Sequence, residues 1–156
     1  MNRVFVYGTL KEGEPNEHVM RDGKNGYARF LSRARTQERF PLLIASKYNV
    51  PYLLYKPGIG YRIFGEVFEV DDRMFSFLDG FENCPEYYRR LEEHVELEDG
   101  SMTRAWLYTL RDFKEDLLQR PMMADYSSKG PHGLEYNKAD VDDPGHTHYD
   151  DVKRGA

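Results

Sequence analysis

The sequence predicts a domain of the α+β class, and three observations predict it. Five or more short runs rich in β-branched and aromatic residues read as strands. Behind Asp71-Asp72, residues Met74, Phe77, Leu78 and Phe81 follow the i, i+3, i+4, i+7 spacing of an amphipathic helix with its N-cap. Asp99-Gly100 separates two alternating runs, which is the pattern of a β-hairpin.

Taken in order, Arg3 to Val6 reads as a short buried strand that ends at Tyr7-Gly8-Thr9-Leu10, with Gly13 a little further on. Pro15 to Met20 suits a short helix, and Asp22-Gly23 and Asn25-Gly26 are turn signals. Tyr27 to Thr36 reads as a strand with one solvated face, because Phe30 and Leu31 lie among Arg29, Arg33 and Arg35. Phe40 to Ala45 is a strand candidate that Pro41 confines to an edge or a start. Tyr52 to Tyr55 is a short apolar run stopped by Pro57-Gly58. Arg62 to Val70 alternates, which puts Phe64, Phe68 and Val70 towards a core.

The helix that follows is expected to stop at Pro85 and to carry Glu82 at its C-terminal end. A two-residue turn at Asp99-Gly100 pairs Leu97 with Met102, Val95 with Arg104, Glu93 with Trp106 and Leu91 with Tyr108. That register gathers Leu91, Val95, Leu97, Met102, Trp106 and Tyr108 on one face. Asp112 to Gln119 suits one or two helical turns. Beyond about residue 138 the chain turns polar and acidic, so residues 139–156 read as a flexible tail outside the domain of residues 1–138.

Composition narrows the function. The 156 residues make one domain with a real core, and 12 Tyr, 9 Phe and 1 Trp are ample for an aromatic-walled pocket. A net charge of −5 with scattered Lys and Arg argues against a nucleic-acid groove. No apolar run approaches the roughly 18 residues of a membrane span. The strand at the N-terminus leaves no room for a signal peptide, so a cytoplasmic protein is expected. With Cys84 as the lone cysteine, an internal disulfide and a Cys-based zinc site are excluded.

Two places carry chemistry. A strand that ends in the Tyr7-Gly8-Thr9-Leu10 loop leaves backbone N–H groups aimed beyond it, and these suit a carboxylate or an oxyanion. Glu82, at a helix C-terminus beside Phe81 and near Tyr87 and Tyr88, has the surroundings that raise a carboxyl into a general base's range. A surface glutamate and a plain tight turn are the unremarkable readings of the same residues. Cys84 lacks a nearby histidine and reads as a small hydrophobe. His146-Thr147-His148 with Asp150 and Asp151 is a weak metal pattern, better read as a solvated tail. Gly130-Pro131-His132-Gly133, flanked by Tyr126 and Tyr136, reads as a rigid loop that closes a rim.

These residues together resemble the γ-glutamylamine cyclotransferases of the AIG2-like superfamily. The resemblance runs from Val4-Phe5-Val6-Tyr7-Gly8-Thr9-Leu10-Lys11 through Pro51-Tyr52-Leu53-Leu54 and Gly65-Glu66-Val67 to Phe81-Glu82 with Cys84-Pro85. It continues to Gly130-Pro131-His132-Gly133-Leu134 with Tyr136-Asn137 and so covers about residues 1 to 138. It departs from the family pattern at Gly80, where an acidic residue is usual, and at Tyr52, where tryptophan is usual.

The resemblance implies a mixed α/β fold, a small, partly open β-barrel with short helices at its side and rim. It implies that Tyr7, Gly8, Thr9 and Leu10 bind substrate and that Glu82 is the catalytic acid and base. The implied substrate is the small molecule L-γ-glutamyl-L-ε-lysine, whose own α-amine closes the ring of 5-oxoproline and expels lysine. The same resemblance implies no cofactor or metal, no nucleic-acid or membrane partner, and a monomer. Two alternatives remain open: a cyclotransferase for γ-glutamyl amino acids, and a relative that binds γ-glutamyl compounds without turning them over.

Overall fold

In the computed structural model, residues 1–137 and 148–154 are described. Five strands form a barrel in the order β1 (Asn2–Val6), β5 (Tyr61–Val70), β2 (Ala28–Phe40), β6 (Tyr88–Leu97) and β7 (Met102–Leu110). The ring closes where β1 meets β7 in parallel, through the pair Val4 and Trp106. A separate hairpin, β3 (Leu42–Ala45) and β4 (Val50–Leu53), has every residue buried and pairs Leu43 with Tyr52. Two helices, α1 (His18–Arg21) and α2 (Asp72–Phe81), complete the frame with short 3-10 turns at Glu115–Gln119 and His148–Asp151. The fold is therefore mixed α/β, and the barrel expected to be partly open is closed.

Alternation along the strands divides the core in two. Phe5, Ile63, Val67, Val95, Ala105 and Leu107 fill the barrel. Val70, Tyr88, Tyr108 and Leu110 face outward, under Met74 and Leu78 of α2 and beside Leu43 and Tyr52 of the hairpin. Helix α2 begins at Asp71, whose Oδ1 accepts the Met74 N–H at 2.8 Å and the Tyr27 N–H at 3.1 Å. Strand β2 is long enough to serve both neighbours because register shifts bend it between Phe30 and Ser32 and between Arg35 and Arg39.

Three expectations change. The β6–β7 register is one residue from the expected one: Glu96 pairs with Met102, Val95 with Thr103, Glu93 with Ala105 and Leu91 with Leu107. The cause is a three-residue loop in which Gly100 takes φ +88 and donates its N–H to the Leu97 carbonyl. The slip sends Leu91, Val95 and Leu97 to the barrel interior, while Trp106 and Tyr108 face α2 and Met102 is exposed. Phe64, expected in the core, is exposed with the Arg35 guanidinium 5.6 Å from its ring centroid; Ile63 and Val67 hold the interior face instead. Helix α2 stops at Phe81, four residues before Pro85.

Residues 148–154 also differ from a solvated tail. Val152 is fully buried and Tyr149 nearly so. The Lys114 N–H donates to the Val152 carbonyl at 2.7 Å, and the Arg154 N–H donates to the Asp112 carbonyl at 2.8 Å. The remainder of the expected tail, residues 139–147 and 155–156, lies outside the described residues, as does residue 138.

Candidate active site

The loop after β1 is fixed from three sides. The Gly8 carbonyl accepts the Lys11 N–H and the Thr9 carbonyl accepts the Asn16 N–H, while the Asn16 side-chain amide donates to Thr9 Oγ1 at 2.9 Å. Lys11 is buried, with Nζ 2.8 Å from Asp125 Oδ1 and donating to the Tyr126 carbonyl at 2.5 Å. Glu66 Oε1 on β5 accepts the Glu12 N–H at 2.9 Å. Gly8 lies close to the hairpin: a Cβ there would stand 3.1 Å from Pro51 Cγ, so the Pro51 ring would have to give by a few tenths of an ångström. The backbone N–H groups of Gly8, Thr9 and Leu10 have no acceptor among the described residues, so they are available to a ligand.

Glu82 arrives opposite this loop because α2 ends in a Schellman motif. Asn83 takes φ +51, its N–H donates to the Gly80 carbonyl, and the Cys84 N–H donates to the Asp79 carbonyl at 2.8 Å. Glu82 is thus the C-cap residue, turned out of the helix into a cavity of about 400 Å³. The cavity is walled by Tyr7 to Leu10, Asn16, Pro51, Phe81 and the tyrosines at 87, 88, 108, 136 and 149.

The tyrosines are held in turn. The Tyr7 hydroxyl donates to the Tyr108 carbonyl at 2.7 Å, and the Tyr108 hydroxyl donates to Asp79 Oδ1 at 2.7 Å. Asp79 also faces Arg90 Nε at 3.2 Å, and the Tyr149 hydroxyl donates to the Glu82 carbonyl oxygen at 3.2 Å.

The electrostatics follow from this enclosure. Burial alone pushes the Glu82 carboxyl up to about 8. Burial, and then the nearby Glu82 carboxylate, also pushes the Tyr7 phenol well above its ordinary value. Burial likewise raises the Tyr88, Tyr108 and Tyr149 phenols, with Glu82 a lesser cause in each. Near neutral pH the site therefore holds one carboxyl that exchanges protons, inside a shell of neutral hydroxyls. Among the described residues lining the cavity there is no Ser, Cys, Lys or Arg, and His18 is exposed at its edge.

A larger hollow of about 610 Å³ lies elsewhere, at Lys11, Arg35, Glu66 and Glu96. Four of the charged side chains there are committed to the Lys11–Asp125 and Arg35–Glu96 pairs. The smaller cavity holds Glu82 and the Tyr7 to Leu10 loop.

The structure places Glu82 and the Tyr7 to Leu10 loop in one cavity, together with Tyr87 and Tyr88. Cys84 is partly buried against the core next to that cavity and does not line it. Of the weak metal pattern, His146 and Thr147 and the side chains of His148 and Asp150 lie outside the described residues. Among the described residues no group of three His, Cys, Asp or Glu is placed to hold a metal. The Gly130–Gly133 loop is self-tied: the Leu134 N–H donates to His132 Nδ1 at 2.7 Å, which leaves Nε2 protonated to donate to the Ser127 carbonyl at 2.7 Å. It pins Tyr136, whose N–H donates to Ser128 Oγ, into the cavity wall.

Sequence reasoning missed Tyr108, Asn16 and Tyr149. The one-residue error in register hid Tyr108. Asn16 carried only a helix-start signal, and nothing local marked Tyr149.

One cavity beside a closed barrel thus brings together a carboxyl raised to about 8 and a loop whose backbone N–H groups have no acceptor among the described residues. The family described as gamma-glutamyl cyclotransferase, AIG2-like, matches residues 4–128, and this chain belongs to it. It is 50% identical over 135 residues to the gamma-glutamylaminecyclotransferase of Bos taurus, covering 86% of this chain and 80% of that protein. With the Homo sapiens protein of the same name it shares 45% over 148 residues, covering 88% and 97%. An AIG2-like protein from Mus musculus, known from a crystal structure, superposes with a TM-score of 0.85 at 46% identity, covering 88% of this chain and 95% of that one.

Proposed function

We propose that this chain is a γ-glutamylamine cyclotransferase that takes L-γ-glutamyl-L-ε-lysine and releases 5-oxoproline and lysine. The observation that carries the reading is the Glu82 carboxyl, raised to about 8 and sharing one cavity with the Gly8 to Leu10 loop, whose N–H groups have no acceptor among the described residues. The names of the Bos taurus and Homo sapiens relatives support the same reading.

In this mechanism the loop N–H groups hold the glutamyl moiety. The Glu82 carboxylate takes a proton from the α-ammonium, and the freed amine attacks the γ-carbonyl carbon to close a five-membered ring. As the tetrahedral intermediate collapses, the bond from the γ-carbon to the lysine Nε breaks and Glu82 returns its proton to that nitrogen; the second proton of the ring nitrogen passes by the same carboxyl to the departing amine, which leaves as its ammonium. Atoms balance without water, and no metal or cofactor enters. The nucleophile is tethered to its target, so the protein's contribution is to hold the reactive conformer and to move the proton.

The lining supports an amine leaving group over an α-amino acid. A γ-glutamyl amino acid sets a carboxylate beside the scissile nitrogen, and no Lys or Arg among the described lining residues would meet it. In the lysine isodipeptide that carboxylate is separated from the scissile nitrogen by the lysine side chain. The reading carries with it a monomer in the cytoplasm acting on a small molecule. Among the described residues no helix is long and apolar enough to cross a membrane.

The test is release of 5-oxoproline from a panel of γ-glutamyl compounds, free and N-acetylated. Free γ-glutamyl-ε-lysine is turned over and its N-acetyl form is inert. Efficient cleavage of the acetylated compound would mean hydrolysis and would overturn the cyclisation.

A further inference from the structure

We propose that the C-terminal segment is a working part of the site, with Tyr149 as a positioning residue. Its ring shuts the Glu82 side of the cavity from water, and its hydroxyl holds the Glu82 carbonyl at the end of α2. The proposal rests on the reading of Glu82 as proton carrier. The segment lies beyond the stretch matched by the family, which ends at residue 128.

The geometry is specific. Tyr149 is 3% exposed, and its ring stacks on Tyr87 at 4.3 Å between centroids with planes 9° apart. Lys153 Nζ stands 4.6 Å from the Tyr87 ring centroid, so Tyr87 has a contact from each end of the same segment. The Tyr149 ring also meets Tyr88 edge-on at 5.7 Å. Its hydroxyl reaches the Glu82 carbonyl at 3.2 Å, across 67 positions of sequence.

The segment is anchored independently of these contacts. Val152 is fully buried, Phe113 bridges to Lys153, and Ser46 Oγ donates to Asp151 Oδ2 at 2.6 Å. Tyr149 is therefore presented to Glu82 by a fixed support.

What Tyr149 contributes is exclusion of solvent. The groups facing Glu82 are Tyr7 from the loop after β1, Tyr88 from β6, Tyr108 from β7 and Tyr149 itself, all neutral phenols near pH 7. The charged Asp79 and Arg90 are paired with each other. With no charge to supply, the Tyr149 ring acts on the Glu82 carboxyl by keeping it dry, in keeping with burial as the cause of its raised value.

Two variants separate the ring from the hydroxyl. Tyr149→Phe keeps the stack and loses the hydroxyl's bonds to the Glu82 carbonyl and to Asn83, so kcat falls about 3- to 10-fold with KM and the Glu82 titration little changed. Tyr149→Ala opens the wall, and the Glu82 carboxyl, followed by 13C NMR in ligand-free protein, titrates at least one pH unit below wild type. The acid limb of kcat/KM moves down with it.

A purely structural Tyr149 would lower the melting temperature and leave the titration of Glu82 in place. A folded Tyr149→Ala protein with the wild-type Glu82 titration overturns the proposal. The NMR arm reads Tyr149 whatever the substrate. Failure of wild-type protein to release 5-oxoproline would instead strike the functional reading.

Discussion

At the scale of the residue, Glu82 sets a pH dependence of definite sign. Its ordinary value is 4.5 and burial carries it to about 8. Between those values the folded protein keeps a proton that the unfolded chain has already released. Its contribution to stability is therefore greatest at and below pH 4.5 and declines as pH rises towards 8. Glu82→Gln removes that slope. Across pH 5 to 8 the melting temperature of the wild type falls relative to the Gln variant, and at pH 8 the variant melts at or above the wild type. On the proposed mechanism the carboxylate is the base, so activity runs the other way: kcat/KM of the wild type climbs with pH to a plateau above about 8. Thermal melts and a pH–rate profile on the same two proteins check both signs. An acid limb in the ordinary carboxylate range would contradict the burial of Glu82.

At the scale of the element, the C-terminus of α2 aims the carboxyl. Asn83 occupies the left-handed region at φ +51, which asparagine and glycine adopt at little cost. Asn83→Gly keeps that backbone, whereas Asn83→Ala adds strain of about 1 kcal/mol. Because Asn83 also hydrogen-bonds Tyr149, both variants lose that contact and their difference isolates the backbone. The Ala variant is expected to melt lower and to turn over more slowly than the Gly variant; equal behaviour would show that the motif does not place Glu82. Helix α2 was legible in sequence because its Asp71 cap and its Met74 and Leu78 spacing are local facts. The hairpin was legible as a hairpin but not in register, because Asp99-Gly100 suits a two-residue turn and a three-residue loop alike. That single choice decided whether Trp106 and Tyr108 shared a face with Leu91 and Val95.

At the scale of the whole molecule, the site joins parts distant in the chain: the loop after β1, the end of α2, β6, β7 and the segment around Tyr149. The loop and Glu82, which the structure brings into one cavity, were candidates in sequence because each carries a local signal, a glycine break after a strand and a carboxyl at a helix end. Tyr149 and Val152 were not, because a short segment with polar neighbours has no periodicity to announce burial. The aromatic shell around Glu82 takes Tyr7 from the loop after β1 and Tyr108 from β7, strands that meet at Val4 and Trp106. The claim that this assembly makes one glutamate a proton carrier is tested most directly by Glu82→Gln, measured at once for turnover, ligand affinity and melting temperature. The account predicts a folded, stable variant that binds a γ-glutamyl ligand nearly as well as the wild type, with kcat lower by roughly 10²–10⁴-fold. A stable Glu82→Gln protein with near-normal kcat would contradict it.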